Sequence, residues 1–82
     1  MTKDGGGTAR DAILKAIPAV VRSDGTFTVD AVVAELRGRN STYADSTIRT
    51  HVTSRMCSNA PRNHAVTYRD LERVRLGEYR LL

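Results

Sequence analysis

The chain has no tryptophan, one phenylalanine, one cysteine and no apolar run near 18 residues. That last absence excludes a membrane-spanning helix, and the charged, Gly-rich first residues lack the apolar core of a signal peptide. A lone Cys57 excludes an internal disulfide framework and suits a reducing cytoplasm. Catalytic and metal-binding groups are equally scarce. His51 and His64 are the only histidines, and with Cys57 they match no zinc-ligand spacing. HExxH, P-loop and paired-acid signatures are missing. The expectation is a soluble domain that is not an enzyme and needs no cofactor. A Cys57–His64 pair can be drawn, but a cysteine directly after Met56 at a helix end reads as a small packed residue.

What the chain does have is arginine, which supplies eleven of its thirteen basic residues. Its distribution matters more than the net charge of +4. Residues 1–45 balance Lys3, Arg10, Lys15, Arg22, Arg37 and Arg39 against Asp4, Asp11, Asp24, Asp30, Glu35 and Asp45. Residues 46–82 set seven Arg against Asp70, Glu72 and Glu78, and so hold the whole excess. A basic half is expected to face a polyanion, and the arginine fork suits phosphates and guanine edges. A GC-rich coding sequence would also favour Arg, but it does not explain the asymmetry.

Eighty-two residues allow one small domain with a barely sufficient core. Residues 1–7, with three consecutive Gly, read as a flexible leader, leaving 8–82 as the domain. Thr8 and Asp11 resemble a capping box opening a helix with Ile13, Leu14 and Ile17 inward. Pro18 either kinks that helix or starts a further turn. Ser23-Asp24-Gly25 is a turn signal, and Thr26-Phe27-Thr28 suits a three-residue strand. Thr28 then caps a helix to about Arg37, with Val29, Val32, Val33 and Leu36 at helical spacing; Gly38 and Asn40 end it.

Ser41-Thr42 is expected to cap a third helix, from about Ala44 to Met56. At about 100° per residue Ile48, Val52 and Met56 share one face. The opposite face gathers Ser46, Thr47, Thr50, Thr53 and Ser54, with Arg49 and His51 on its flanks. Hydroxyl residues are middling helix formers, and exposed helices normally fill with Glu, Lys, Gln and Ala. Such a face lets a helix approach a partner closely while offering donors, acceptors and small methyls. Two helices joined by a short Gly- and Asn-containing turn make a helix-turn-helix pattern. Beyond the polar loop Cys57–Asn63, His64–Tyr68 is extended or loop. Leu71–Val74 and Glu78–Leu81 then form a hairpin across Arg75-Leu76-Gly77. The order α-β-α-α-β-β predicts an α+β winged helix-turn-helix with the Phe27 strand as third member of the sheet.

The run FTVDAVVAELRGRNSTYADSTIRTHVTSRMC, continued by NAPRNHAVTYRDLERVRLGEYRLL, resembles a group of small bacterial winged-helix domains. These stand alone or are fused to HNH-type nucleases of modification-dependent restriction systems. STIRTHVTSRMC, NHAV and the DLERV…G.YRL ending carry the resemblance, which covers about Phe27 to Leu82. It implies binding of duplex DNA containing 5-methylcytosine, and leaves open whether a nuclease partner acts in trans. Leu76 departs from the group, where a Gly or a charged residue is common in the wing turn.

The residues themselves already suggest duplex DNA. Thr47, Thr50, Thr53, Ser46 and Ser54 are placed to reach base edges, and threonine methyls match a methyl at pyrimidine C5. Arg49 is expected on guanine or on an adjacent phosphate. Asn59, Arg62, Asn63 and His64 form a loop beside the helix, and Arg75 and Tyr43 are placed for phosphate contact. Asn63 and His64 equally suit loop carbonyls. Arg55, near the core side of the wheel, braces the fold, pairs with Glu72 or touches DNA. A monomer bound to double-stranded DNA in the nucleoid is the resulting expectation. A regulator of unmodified DNA and a protein-interaction module are the rivals.

Overall fold

The computed structural model describes residues 8–59 and 68–82. It contains α1 (Ala9–Val20), β1 (Thr26–Thr28), α2 (Val29–Gly38), α3 (Asp45–Thr50), a π-helical segment (His51–Arg55), β2 (Leu71–Arg75) and β3 (Glu78–Leu81). This is a small α+β domain in the expected order. The leader 1–7, with Arg62, Asn63 and His64 of the loop, lies outside the described residues. No helix among the described residues is long and apolar enough to cross a membrane.

The two threonine caps form as read. Thr8 Oγ1 accepts from the Asp11 amide at 3.2 Å, and Thr28 Oγ1 from the Ala31 amide at 3.0 Å, each satisfying an orphan donor of a first turn. Helix α1 buries Ile13, Ala16 and Ile17 and holds Leu14 half-buried against the same core. Pro18 lies within α1, which continues through Ala19 to Val20. Helix α2 buries Val32, Val33 and Leu36 and is followed by Asn40 at φ 58°, a left-handed position that asparagine tolerates.

The junction between α2 and α3 differs from the expectation. Ser41 and Thr42 do not cap α3: its N-cap is Ala44, with no side-chain bond, and the Ser41 hydroxyl accepts from the Tyr43 amide instead. An ion pair braces the turn. Arg37, in the last turn of α2, donates from Nε to Asp45 Oδ1 at 3.1 Å and pairs again through Nη2. Asp45 opens α3, so each charge also complements the dipole of its own helix end.

Strand β3 lies between β1 and β2 in an antiparallel sheet. Phe27 faces Tyr79 in register, their ring centres 6.5 Å apart, so an aromatic cross-strand pair joins sheet to core. The hairpin connection is shorter than Arg75-Leu76-Gly77. Strand β2 continues to Arg75 through a bulge between Arg73 and Arg75, leaving Leu76-Gly77 as the turn. Gly77 sits at φ 76°, where a β-carbon would be strained.

Both sheet edges are closed by local groups. On β1, the Thr26 carbonyl accepts from the Arg22 amide at 2.8 Å, and Asp24 Oδ1 accepts from the Thr26 amide at 3.0 Å and hydroxyl at 2.6 Å. On β2, residues 56–58 pair with Leu71. The Asn59 amide then imitates a further strand residue. Its Oδ1 accepts from Arg73 N at 2.8 Å while its Nδ2 donates to Arg73 O at 3.1 Å. Buried Cys57 donates its thiol to the same Oδ1, the packed role expected of it. Unpaired edges invite pairing with other chains, and these are blunted.

Asn59→Ala is expected to destabilise the domain by about 1–2 kcal/mol in urea unfolding and to speed exchange of the Arg73 amide proton. Asp24 yields a pH prediction. The Thr26 hydroxyl and amide bond its ionised form and hold its carboxyl below the usual range. The folded state thus gains stability above the ordinary carboxylate value of about 4, and loses it as pH falls through the depressed one. Asp24→Asn should flatten the fall in melting temperature across that acid window.

Candidate nucleic-acid interface

The third helix is not one α-helix from Ala44 to Met56. It is α from Asp45 to Thr50 and π from His51 to Arg55, closed by a bond from Met56 N to His51 O at 2.8 Å. An i→i+5 turn holds more residues than an α turn. Ile48, Val52 and Met56 nonetheless all stay buried, as the wheel predicts. Arg55 does not follow the wheel. Reckoned at the α period it falls near the core, but in the wider turn it is exposed, and Glu72 bonds Arg80 at 2.6 Å instead.

The hydroxyl face lies opposite this buried stripe. Ser46 and Thr50 are exposed, and Thr47, Thr53 and Ser54 are half-buried. Ser46, Thr47, Thr50 and His51 line one open depression of about 220 Å³. Two side chains on this helix turn back on the backbone. Thr53 Oγ1 donates to Arg49 O at 2.7 Å, and His51 Nδ1 lies 2.9 Å from Thr47 O, a bond that needs the proton on Nδ1. With its hydroxyl proton committed, Thr53 has its methyl and an acceptor left to offer a partner.

The expected phosphate and base contacts divide sharply. Arg49 is tied to Asp30 at the start of α2, Nη2 to Oδ1 at 2.7 Å. Arg75 pairs with Glu78, which Arg22 also meets at 2.8 Å. Asn59 is engaged in the β2 latch. Tyr43 packs against the core and lines a separate hollow of about 510 Å³ with Thr8, Lys15 and Arg39, away from the hydroxyl depression. Arg62, Asn63 and His64 lie outside the described residues. The site is thus the face of α3 and its π extension, with Arg49 held at its rim.

The Arg49–Asp30 pair is exposed, with Asp30 at 79%. Such pairs contribute little, so Asp30→Asn should change stability in urea unfolding by about 1 kcal/mol or less. A family model described as "Domain of unknown function (DUF7669)" matches residues 8–81. No curated protein and no solved structure matches the chain.

Proposed function

The chain belongs to the DUF7669 family of domains of unknown function, and we propose that it is a winged helix-turn-helix that binds duplex DNA without catalysis. The observation that carries this reading is the third helix. One face is wholly buried, and the other offers hydroxyls, with its one acid, Asp45, already neutralised by Arg37. The element order and the β1-β3-β2 sheet fit a wing formed by β2 and β3. A helix with short outward side chains fits the major groove, about 12 Å wide, while phosphate contacts fix its register. The excess positive charge, all of it from residue 46 onward, supplies the attraction. Among the described residues no strand edge is open, which disfavours a protein partner docking by strand addition.

Within this reading, the DNA carries 5-methylcytosine. The methyls of Thr50 and Thr53 are the groups suited to a C5 methyl, and the resemblance to domains of modification-dependent restriction systems points the same way. One buried methyl-sized group contributes about 0.8 kcal/mol, a few-fold in affinity, and two methyls of a symmetric CpG about twice that energy. A regulator of unmodified DNA would show no such preference.

A mobility-shift titration with matched methylated and unmethylated CpG duplexes tests both levels. Tighter binding to the methylated duplex, weakening steeply as salt rises, is the expected result. Equal affinity removes the modified-base reading, and no shift on either duplex at low salt removes DNA binding altogether.

A further inference from the structure

Ten arginines fall among the described residues, and seven of them are paired to carboxylates. Those pairs are Arg10–Asp70, Arg22–Glu78, Arg37–Asp45, Arg39–Glu35, Arg49–Asp30, Arg75–Glu78 and Arg80–Glu72. The three without a carboxylate partner are Arg55, Arg69 and Arg73, all exposed. They are not scattered. Residues 55–59 run alongside residues 68–73 as a parallel seam. Tyr68 N donates to Arg55 O at 2.8 Å, Leu71 N to Met56 O at 2.9 Å and Ser58 N to Leu71 O at 2.8 Å, and the Asn59 amide clasps Arg73.

The seam therefore joins the end of the third helix to the first strand of the hairpin, and all three arginines without a carboxylate partner sit on it. Its two acids are already neutralised. Asp70 takes both Arg10 donors, at 2.8 and 2.9 Å, and Glu72 takes Arg80. Among the described residues of the seam, three positive charges are thus left uncompensated. From Arg69 to Arg73 is four residues of largely extended chain, about 13 Å. One strand of a duplex carries about four phosphates over that length of axis.

We infer that Arg55, Arg69 and Arg73 are the residues that bind the DNA phosphates, in place of Arg49 and Arg75. The inference rests on the DNA-binding reading above and assigns the backbone contacts within it. A free guanidinium gains a phosphate outright. A paired one must first give up a carboxylate and leave that acid facing the polyanion, so Arg49 with Asp30, and Arg75 with Glu78, contribute little net attraction. The Asn59 latch has a positioning role here, because it holds Arg73 beside the helix end.

Fluorescence anisotropy with a labelled DNA duplex, titrated from about 50 to about 200 mM salt, tests this. Each neutralised phosphate contributes about 0.9 to the slope of log affinity against log salt. Arg55→Ala, Arg69→Ala and Arg73→Ala should each lower the slope by about that amount. The matching Lys variants should restore most of it, which separates charge from packing. Arg49→Ala and Arg75→Ala should leave the slope nearly unchanged, with a thermal melt confirming that every variant is folded. Unchanged slopes in the three seam variants, or losses confined to Arg49 and Arg75, overturn the assignment while leaving DNA binding intact. Failure of the unmutated protein to bind the duplex overturns the DNA reading, and the assignment with it.

Discussion

Burial of Ile48, Val52 and Met56 is the constraint on which the rest of this domain depends. Each side chain contributes about 1.5–3 kcal/mol when fully buried, and in so small a domain no such increment is spare. Keeping all three inward fixes the rotation of the third helix about its own axis. That decides which residues reach solvent: Ser46 and Thr50 outward, Thr47, Thr53 and Ser54 at the margins. The π turn belongs to the same constraint. Across it Met56 stays in the core beside Cys57 while Arg55 lies on the surface.

A second layer of organisation is polar and local. The Arg37–Asp45 pair sets the turn between α2 and α3, the Arg10–Asp70 fork ties α1 to the residue before β2, and the Asn59 amide closes the edge of β2. The Arg37–Asp45 pair is exposed and weak by itself, whereas the Arg10–Asp70 fork is two-pronged and part-buried. Their effect is on register and on edges: they hold neighbouring elements at defined positions and, among the described residues, cover the outer edge of β2. They also consume charge, so among the described residues the arginines left without a carboxylate partner gather on a short seam.

Much of this was legible in the residues. The strand at Phe27, the helix from Val29, the Thr8 and Thr28 caps, the buried face of the third helix and the terminal hairpin all follow from local patterns of period, cap and turn. What escaped has one physical character in common. Arg49 with Asp30, Arg10 with Asp70 and Asn59 with Arg73 are juxtapositions of residues far apart in the chain, decided by packing and invisible to spacing. The π turn escaped because a wheel drawn at one period cannot show a change of period within a helix. Arg55 shows this most directly: at the α period it falls near the core, and in the π-helical segment it is exposed. The Ser41-Thr42 cap failed for a simpler reason: the helix starts later, after Ala44.

A titration of the isotope-labelled protein with duplex DNA, followed by backbone amide NMR shifts, tests the central claim most directly, because it reports every residue at once. The largest shifts are expected on Ser46, Thr47, Thr50 and the seam of Arg55, Arg69 and Arg73, with the hollow between α1 and the α2–α3 turn unaffected. Shifts centred on Lys15, Arg39 and Tyr43, with the third helix silent, would contradict it.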